Sequence, residues 1–271
     1  MREWLNLRDT ALAVAREVSE IPAAAQPRTL AARTLATSTK SSELDLVTEL
    51  DQATERAIVR ALVARRPHDG LLGEEGAASP STSGYTWVVD PIDGTVNYFY
   101  GLGQWAISLG VVDAAGVPVA GVVHAPALGE TFVAARGFGA HLLLGEEWHP
   151  LAPPPDVPLE LALLATGFSY DRERRRQMGA VFADLVPRIR DFRRMGSAAL
   201  DICAVAAGRI NGFYERDLKP WDRIGAQVIA TEVGLTVHFV GAMQGHNLTV
   251  VAPPRLAGIL QAELARLGVV D

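Results

Sequence analysis

Trp4, Leu7, Ala11, Leu12, Ala15 and Val18 fall at three- and four-residue intervals, which predicts a helix over about 3–20 that ends before Pro22. The next twenty residues carry no such period and read as a connector. From Asp45 the helical spacing returns in Leu46, Leu50, Ala53, Ala57, Ile58, Ala61 and Leu62, and Pro67, His68, Asp69 and Gly70 close this second amphipathic helix. Beyond a Gly/Ser/Pro-rich loop over 76–84, short β-rich runs at 87–89, 107–112, 117–123 and 131–134 predict one antiparallel sheet. A Pro-rich stretch over 150–158 marks a boundary. Past it, strand-like runs at 161–165, 189–193 and 210–214 alternate with helical ones at 171–186, 197–207 and 222–233. Strands at 235–240 and 248–251 and a helix over 254–267 complete this half, and no internal repeat is visible.

Composition narrows the class. The 271 residues are 49% hydrophobic and 21% charged, with mean hydropathy +0.15. That is too apolar for a disordered chain and long enough for a large core, in one domain or two packed lobes. The Pro-rich boundary divides it into an N-terminal α+β lobe, 1–150, and a C-terminal α/β lobe, 151–271. With 25 Lys plus Arg against 31 Asp plus Glu, the net charge of −6 offers no general attraction to nucleic acid. No run reaches ~18 uninterrupted apolar residues, and Arg8, Asp9, Arg16 and Glu17 break up the N-terminal one, so neither a membrane span nor a signal peptide is expected. The single cysteine, Cys203, cannot make an intrachain disulfide; it reads as a small buried residue and agrees with a reducing cytoplasm.

The segment richest in chemistry is 87–98, where an apolar strand runs into Asp90, Pro91, Ile92, Asp93, Gly94 and Thr95. Pro91 fixes φ and Gly94 permits close backbone approach, so two carboxylates crowd one turn. Such crowding calls for a cation. Carboxylate oxygens without neighbouring His or Cys favour Mg²⁺ or Mn²⁺ over Zn²⁺, and a helix starting there would offer N–H groups to an anion. Gly73, Glu74, Glu75 and Gly76 make a second acidic turn after Leu71 and Leu72. Asp222, after Trp221, opens an apolar helical stretch and is either its N-cap or a third metal ligand. The six histidines show no HxxxH or HExxH spacing, no GxxxxGK[ST] run is present, and the cluster over 172–176 interleaves acids with arginines as a solvated helix face does. Trp105, Phe132, Phe138 and Trp148 form no repeated stacking pattern and read as packing residues.

Five motifs, DLVTELD at 45–51, GEEG at 73–76, WVVDPIDGTVNY at 87–98, GSAALDICAVAAGRINGFYE at 196–215 and LKPWDRIGAQVIATEVG at 218–234, together resemble the inositol monophosphatase family. This family lies within the lithium-sensitive, magnesium-dependent phosphatases related to fructose-1,6-bisphosphatase. The resemblance implies an αβαβα sandwich with the active site between the lobes. It implies one Mg²⁺ on Glu74, Asp90 and the Ile92 carbonyl, a second on Asp90, Asp93 and Asp222, and a weaker third, with Mn²⁺ a possible substitute. Two such ions ~3.5–4 Å apart would polarise a phosphate ester and activate water. Asp51 and Thr95 match the pair beside that water, and Glu74 the group that helps deprotonate it. Gly94 and Thr95 N–H groups would hold phosphate oxygens. Gly196, Ser197, Ala198 and Glu215 match the polyol pocket, and Lys40 matches a mobile-loop lysine or is a solvated surface residue.

The implied function is Mg²⁺-dependent hydrolysis of a small phosphate monoester, inositol monophosphate first, by a cytoplasmic homodimer. Fructose-1,6-bisphosphate, histidinol phosphate, adenosine 3′,5′-bisphosphate or an aminocyclitol phosphate would suit the same chemistry, and a catalytically silent interaction protein is the rival of another class. The chain departs from the family pattern in its short loop after GEEG, in Leu235 after Gly234, and in Arg223 beside Asp222. That arginine either meets substrate or faces solvent.

Overall fold

The structure, a computed structural model, describes residues 2–27, 43–241 and 247–269; Lys40 lies outside the described residues. Helix α1 spans Arg2–Val18 and buries Leu7, Ala11, Val14, Ala15 and Val18 along one stripe. The chain breaks at Ser19, whose Oγ donates to the Arg16 carbonyl, and restarts as α2, Glu20–Ala25. Pro22 is therefore inside a helix and does not end one: in a first turn its missing N–H breaks no intrahelical bond. Helix α3 follows at Glu43–Arg65.

Eight strands form the first sheet: β1 Gly70–Gly73, β2 Ala78–Ser79, β3 Thr86–Asp93, β4 Ala106–Val112, β5 Pro118–Ala125, β6 Glu130–Ala135, β7 Ala140–Leu144 and β8 Glu147–Pro150. The short helix α4, Thr95–Phe99, separates β3 from β4. The spatial order is β2-β1-β3-β4-β5-β6-β7-β8. The four runs expected to pair antiparallel do so as β3 to β6, while β1, outside those runs, pairs with β3 in parallel, Leu71 opposite Trp87. The reason is β2, which pairs antiparallel on the outer edge of β1 and returns the chain to its starting end, so β3 runs as β1 does. The short strands β1, β2, β7 and β8 carry too few alternating positions to stand out in sequence.

In the second half come β9 Leu163–Thr166, α5 Arg172–Leu185, β10 Asp191–Arg193, α6 Ala198–Ala206, β11 Gly212–Arg216 and α7 Pro220–Glu232. Strands β12 Thr236–Gly241 and β13 Asn247–Ala252 and helix α8 Pro254–Arg266 end it. The second sheet, ordered β10-β9-β11-β13-β12, is parallel across β10, β9 and β11 and antiparallel beyond.

Side-chain alternation builds the layers. Ile107, Leu109 and Val111 of β4 face α1 and α3, while Ala106 joins the opposite cluster, formed with α6 and α7. Phe213 of β11 and Val251 of β13 reach that same middle cluster from the second sheet; Tyr214 and Val250 point the other way, toward α5 and α8. The result is five layers: α1 and α3, first sheet, α6 and α7, second sheet, α5 and α8. Cys203 is fully buried in the middle layer.

Helix α7 approaches the first sheet to backbone contact. A Cβ on Gly110 would lie 2.6 Å from Ile224 Cγ2 and 2.8 Å from the Gly225 nitrogen, and one on Gly121 would run into the Gly225 carbonyl oxygen. One on Gly225 would lie 2.7 Å from Ser108 Oγ. Backbone cannot step aside as a side-chain tip can, so Gly121→Ala should cost about 1–3 kcal/mol and lower the thermal midpoint by roughly 2–10 °C. Gly258→Ala, on a face of α8 open to space, is the control and should leave the midpoint unchanged or raise it. Equal midpoints for Gly121→Ala and the parent would show that α7 does not need this approach.

Candidate active site

Strand β3 does not stop at Val89; it carries its acidic residues inside the ladder. Asp90 pairs with Ser108 and Asp93 with Ala106, so three steps on β3 oppose two on β4. Pro91 has no N–H to give the ladder, and the extra residue is accommodated as a bulge. Within it Asp90 Oδ1 accepts from the Ile92 N–H at 3.0 Å, and Thr95 Oγ1 donates to the Ile92 carbonyl at 3.0 Å. Gly94 then takes φ 94° to start α4, and a Cβ there would lie 2.8 Å from the Gln104 carbonyl oxygen. Only glycine suits both the angle and the space.

Two tethers bring the second half to this bulge. Asp93 Oδ2 accepts from Ser197 Oγ at 2.5 Å and from the Ala199 N–H at 2.8 Å, at the start of α6. Asn97 Nδ2 donates to the Met195 carbonyl at 2.6 Å and the Gln104 carbonyl at 2.7 Å. Asp222 is not the N-cap of α7: Lys219 holds that position, and Asp222, in the first turn, accepts from the Lys219 N–H at 2.7 Å through Oδ2. In Asp90, Asp93 and Asp222 alike, the bonds named engage one oxygen of the carboxylate.

These residues converge on one cavity of about 160 Å³. Glu74, Asp90, Ile92, Asp93, Gly94, Thr95, Gly196, Ser197, Ala198, Glu215 and Asp222 all line it. Asp51 is not among the lining residues; it is buried close to Glu74. Sequence reasoning missed Gly167, Phe168, Tyr170, Arg194, Asp201 and Leu218, which complete the wall. Gly167 is there for space, since a Cβ would collide with the Glu215 carboxyl group. Asp201 carried a usable signal, as the lone acid in the otherwise apolar run Ala198–Ala206. Arg223 neither lines the cavity nor faces solvent: its guanidinium lies buried 4.1 Å over the Phe239 ring, and one of its amino groups bonds Gln227 Oε1 at 2.7 Å.

The crowding leaves its mark on proton affinity. Burial, then the charges of Glu74, Glu75 and Glu55, pushes Asp51 up to about 8. Burial and the charge of Asp93 take Asp222 to about 8. Asp93 rises to about 6, burial outweighing the Ser197 and Ala199 bonds that oppose it. Glu74 and Asp90 are hydrogen-bonded to each other and both lie above the usual carboxylate range, chiefly through burial. Glu215 is likewise raised by burial, and Asp201 is taken to about 8 by burial and the charge of Asp93.

A hard divalent cation fits this donor set. Among the described residues the lining holds six carboxylates and no His or Cys, and the buried oxygens Asp51 Oδ1 and Asp201 Oδ1 have no hydrogen-bond partner. Among the described residues no group of three or more His, Cys, Asp or Glu could hold a metal ion with the side chains as they stand. The fit is one of chemistry and convergence. None of the described helices is long and apolar enough to cross a membrane.

The model of the inositol monophosphatase family matches residues 4–264. The inositol-1-monophosphatase SuhB of Mycobacterium tuberculosis is 42% identical over 235 residues, 84% of this chain and 80% of that protein. The Nus factor SuhB of Pasteurella multocida is 38% identical over 234 residues, 82% of this chain and 83% of that one. The solved structure of Mycobacterium tuberculosis SuhB superposes with TM-score 0.84 at 37% identity, covering 98% of each chain. Its layered α+β fold is the one described above. With the family model matched over nearly its whole length, the chain belongs to the inositol monophosphatase family, a metal-dependent family, and is a phosphoric monoester hydrolase of the inositol-phosphate phosphatase type.

Proposed function

We propose that the cavity hydrolyses a small polyol phosphate, inositol monophosphate first, in a Mg²⁺-dependent reaction. The observation that carries this reading is the convergence of Glu74, Asp90, Asp93 and Asp222 with the start of α4 at Gly94 and Thr95 on one small cavity. Glu74, Asp90, the Ile92 carbonyl, Asp93 and Asp222 would hold the cations, two or three per subunit, with Mn²⁺ able to substitute. Bound there, Mg²⁺ supplies positive charge and Lewis acidity to a phosphate ester.

The chain's own groups do the rest. The Gly94 and Thr95 N–H groups orient phosphate oxygens at the turn into α4. Thr95 Oγ1, whose proton goes to the Ile92 carbonyl, has lone pairs with which to accept from the attacking water. Glu74, with Asp51 buried close by, is placed to take that water's second proton. Ser197 and the Ala199 N–H hold Asp93 in place, and Gly196, Ala198 and Glu215 present polar surface to the hydroxyls of the leaving polyol. The same reading extends to a cytoplasmic homodimer, which the resemblance alone supports.

A second reading, a protein whose main role is interaction, is favoured by the relative named as a Nus factor. Asp93→Asn separates the two. On the enzyme reading it lowers Mg²⁺-dependent phosphate release from inositol 1-phosphate by at least about a hundredfold. Unchanged release in the folded variant would overturn the proposed mechanism.

The raised carboxylates give a second test, in stability. Unfolded Asp and Glu titrate near pH ~4. Between there and pH 8 the folded, chelator-treated protein keeps protons that the unfolded chain has lost, so its stability falls as pH rises through the folded values of about 6 for Asp93 and about 8 for Asp51 and Asp222. Mg²⁺ should offset that loss. The expected result is a thermal midpoint that drops from pH 5 to pH 8 in chelator, with a Mg²⁺-induced rise larger at pH 8 than at pH 5. An equal rise at both, or none, would show that these carboxylates do not hold the ion.

A further inference from the structure

Among the described residues Arg194 is the single cation lining the cavity. Several arginines of α5 and β10 are committed elsewhere. Arg174 pairs with Asp217 at 2.9 Å, Arg175 Nε donates to the Ser169 carbonyl at 2.9 Å, Arg176 pairs with Glu173 at 2.6 Å and Arg193 with Asp191 at 2.7 Å. Arg194 makes no hydrogen bond or ion pair among the described residues, although its charge is felt by Asp93, Asp201 and Glu215. A guanidinium surrounded by acids and bonded to none of them is held off them by the backbone that carries it.

That backbone is fixed. Met195 is tied to Asn97, Ser197 to Asp93, and Gly196 between them adopts φ 98°. An amino nitrogen of Arg194 lies 2.7 Å from where a Cβ on Gly196 would stand, so the missing side chain is what lets the guanidinium lie across the site loop. The exposed planar fork thus lines the cavity with no partner for its side-chain donors among the described residues, where its charge acts on Glu215 and Asp201 as well as on Asp93. A neutral polyol would find acceptors there in Glu215 and Asp201 without an arginine. An unpaired guanidinium is the group that receives an oxyanion bidentately.

We infer that Arg194 is a specificity-determining residue that binds a second anionic group, a phosphate on the leaving part of the substrate, so that sugar or polyol bisphosphates are turned over in preference to the matching monophosphates. This rests on the phosphatase reading above. The test compares fructose 1,6-bisphosphate with fructose 1-phosphate, which share the scissile C1 ester, in the full-length Mg²⁺-loaded enzyme and in Arg194→Gln and Arg194→Lys.

The parent enzyme should prefer the bisphosphate in kcat/KM by about tenfold or more, the range for a hydrogen-bonded charged contact. Arg194→Gln should abolish that preference, with the loss carried by KM for the bisphosphate and at least ten times larger than the loss on the monophosphate. Arg194→Lys, which keeps the charge without the fork, should recover part of it. Equal losses on both esters would overturn the inference and make Arg194 a positioning residue for the acidic wall. No preference in the parent would overturn it as well. Hydrolysis of neither ester, nor of inositol 1-phosphate, would overturn the phosphatase reading itself, so the two failures are distinct.

Discussion

Everything at the cavity depends on how closely α7 lies on β4 and β5. Asp222 comes from a helix late in the chain and Asp90 and Asp93 from a strand more than a hundred residues earlier. They can meet only if the helix axis stands nearer the sheet than ordinary side chains allow. Gly110, Gly121 and Gly225 remove those side chains at the point of contact. Ser108, the small residue opposite Asp90, keeps the same face open and donates weakly to the Trp221 carbonyl at 3.4 Å. The middle layer is built around this approach: α6 packs against α7, and the Ser197 cap at its start lies where Asp93 can hold it.

The approach has an electrostatic consequence. It gathers six carboxylates around one small cavity, with Asp90, Asp93 and Asp201 buried, Glu215 and Asp222 half-buried and Glu74 exposed, and loss of solvent is the largest cause of every raised pKa among them. In isolation such a site disfavours its own fold at neutral pH, because protons must be retained that the unfolded chain would release. The fixing bonds on Asp90, Asp93 and Asp222 resist the mutual repulsion that would otherwise turn these side chains outward. A site that stores repulsion and holds its geometry is suited to a ligand of opposite charge, and this links the packing of three glycines to the chemistry of the cavity.

Much of this was legible in the sequence. The helical stripes of α1 and α3 and the alternation of β4 to β6 are strong periodic signals, and the acidic turns stood out because carboxylates interrupt apolar strands. What escaped notice has physical reasons. The parallel pairing of β1 with β3 depends on a two-residue edge strand, too short for any period. The register shift after Asp90 depends on which strand lies opposite. Arg194 was hidden by composition: nearly all of the 25 basic residues are arginine, and only the three-dimensional neighbourhood shows that this one lines the cavity.

Arg223 shows how far local rules could have gone. Next to Asp222 in sequence, it looked like a second charged group for the same cavity. Successive residues of a helix point about 100° apart, so two neighbours in α7 cannot both face one small site. With Asp222 turned to the acidic wall, Arg223 is directed to the second sheet, where Phe239 of β12 takes the guanidinium on its ring face and Gln227, one turn on, accepts a hydrogen bond. The cation that does line the cavity comes from a different element, the segment before α6. Charge adjacency along the chain and charge adjacency in the site are separate matters, and it is the geometry of the glycine contact that assigns Asp222 to the site and Arg223 to the layer behind it.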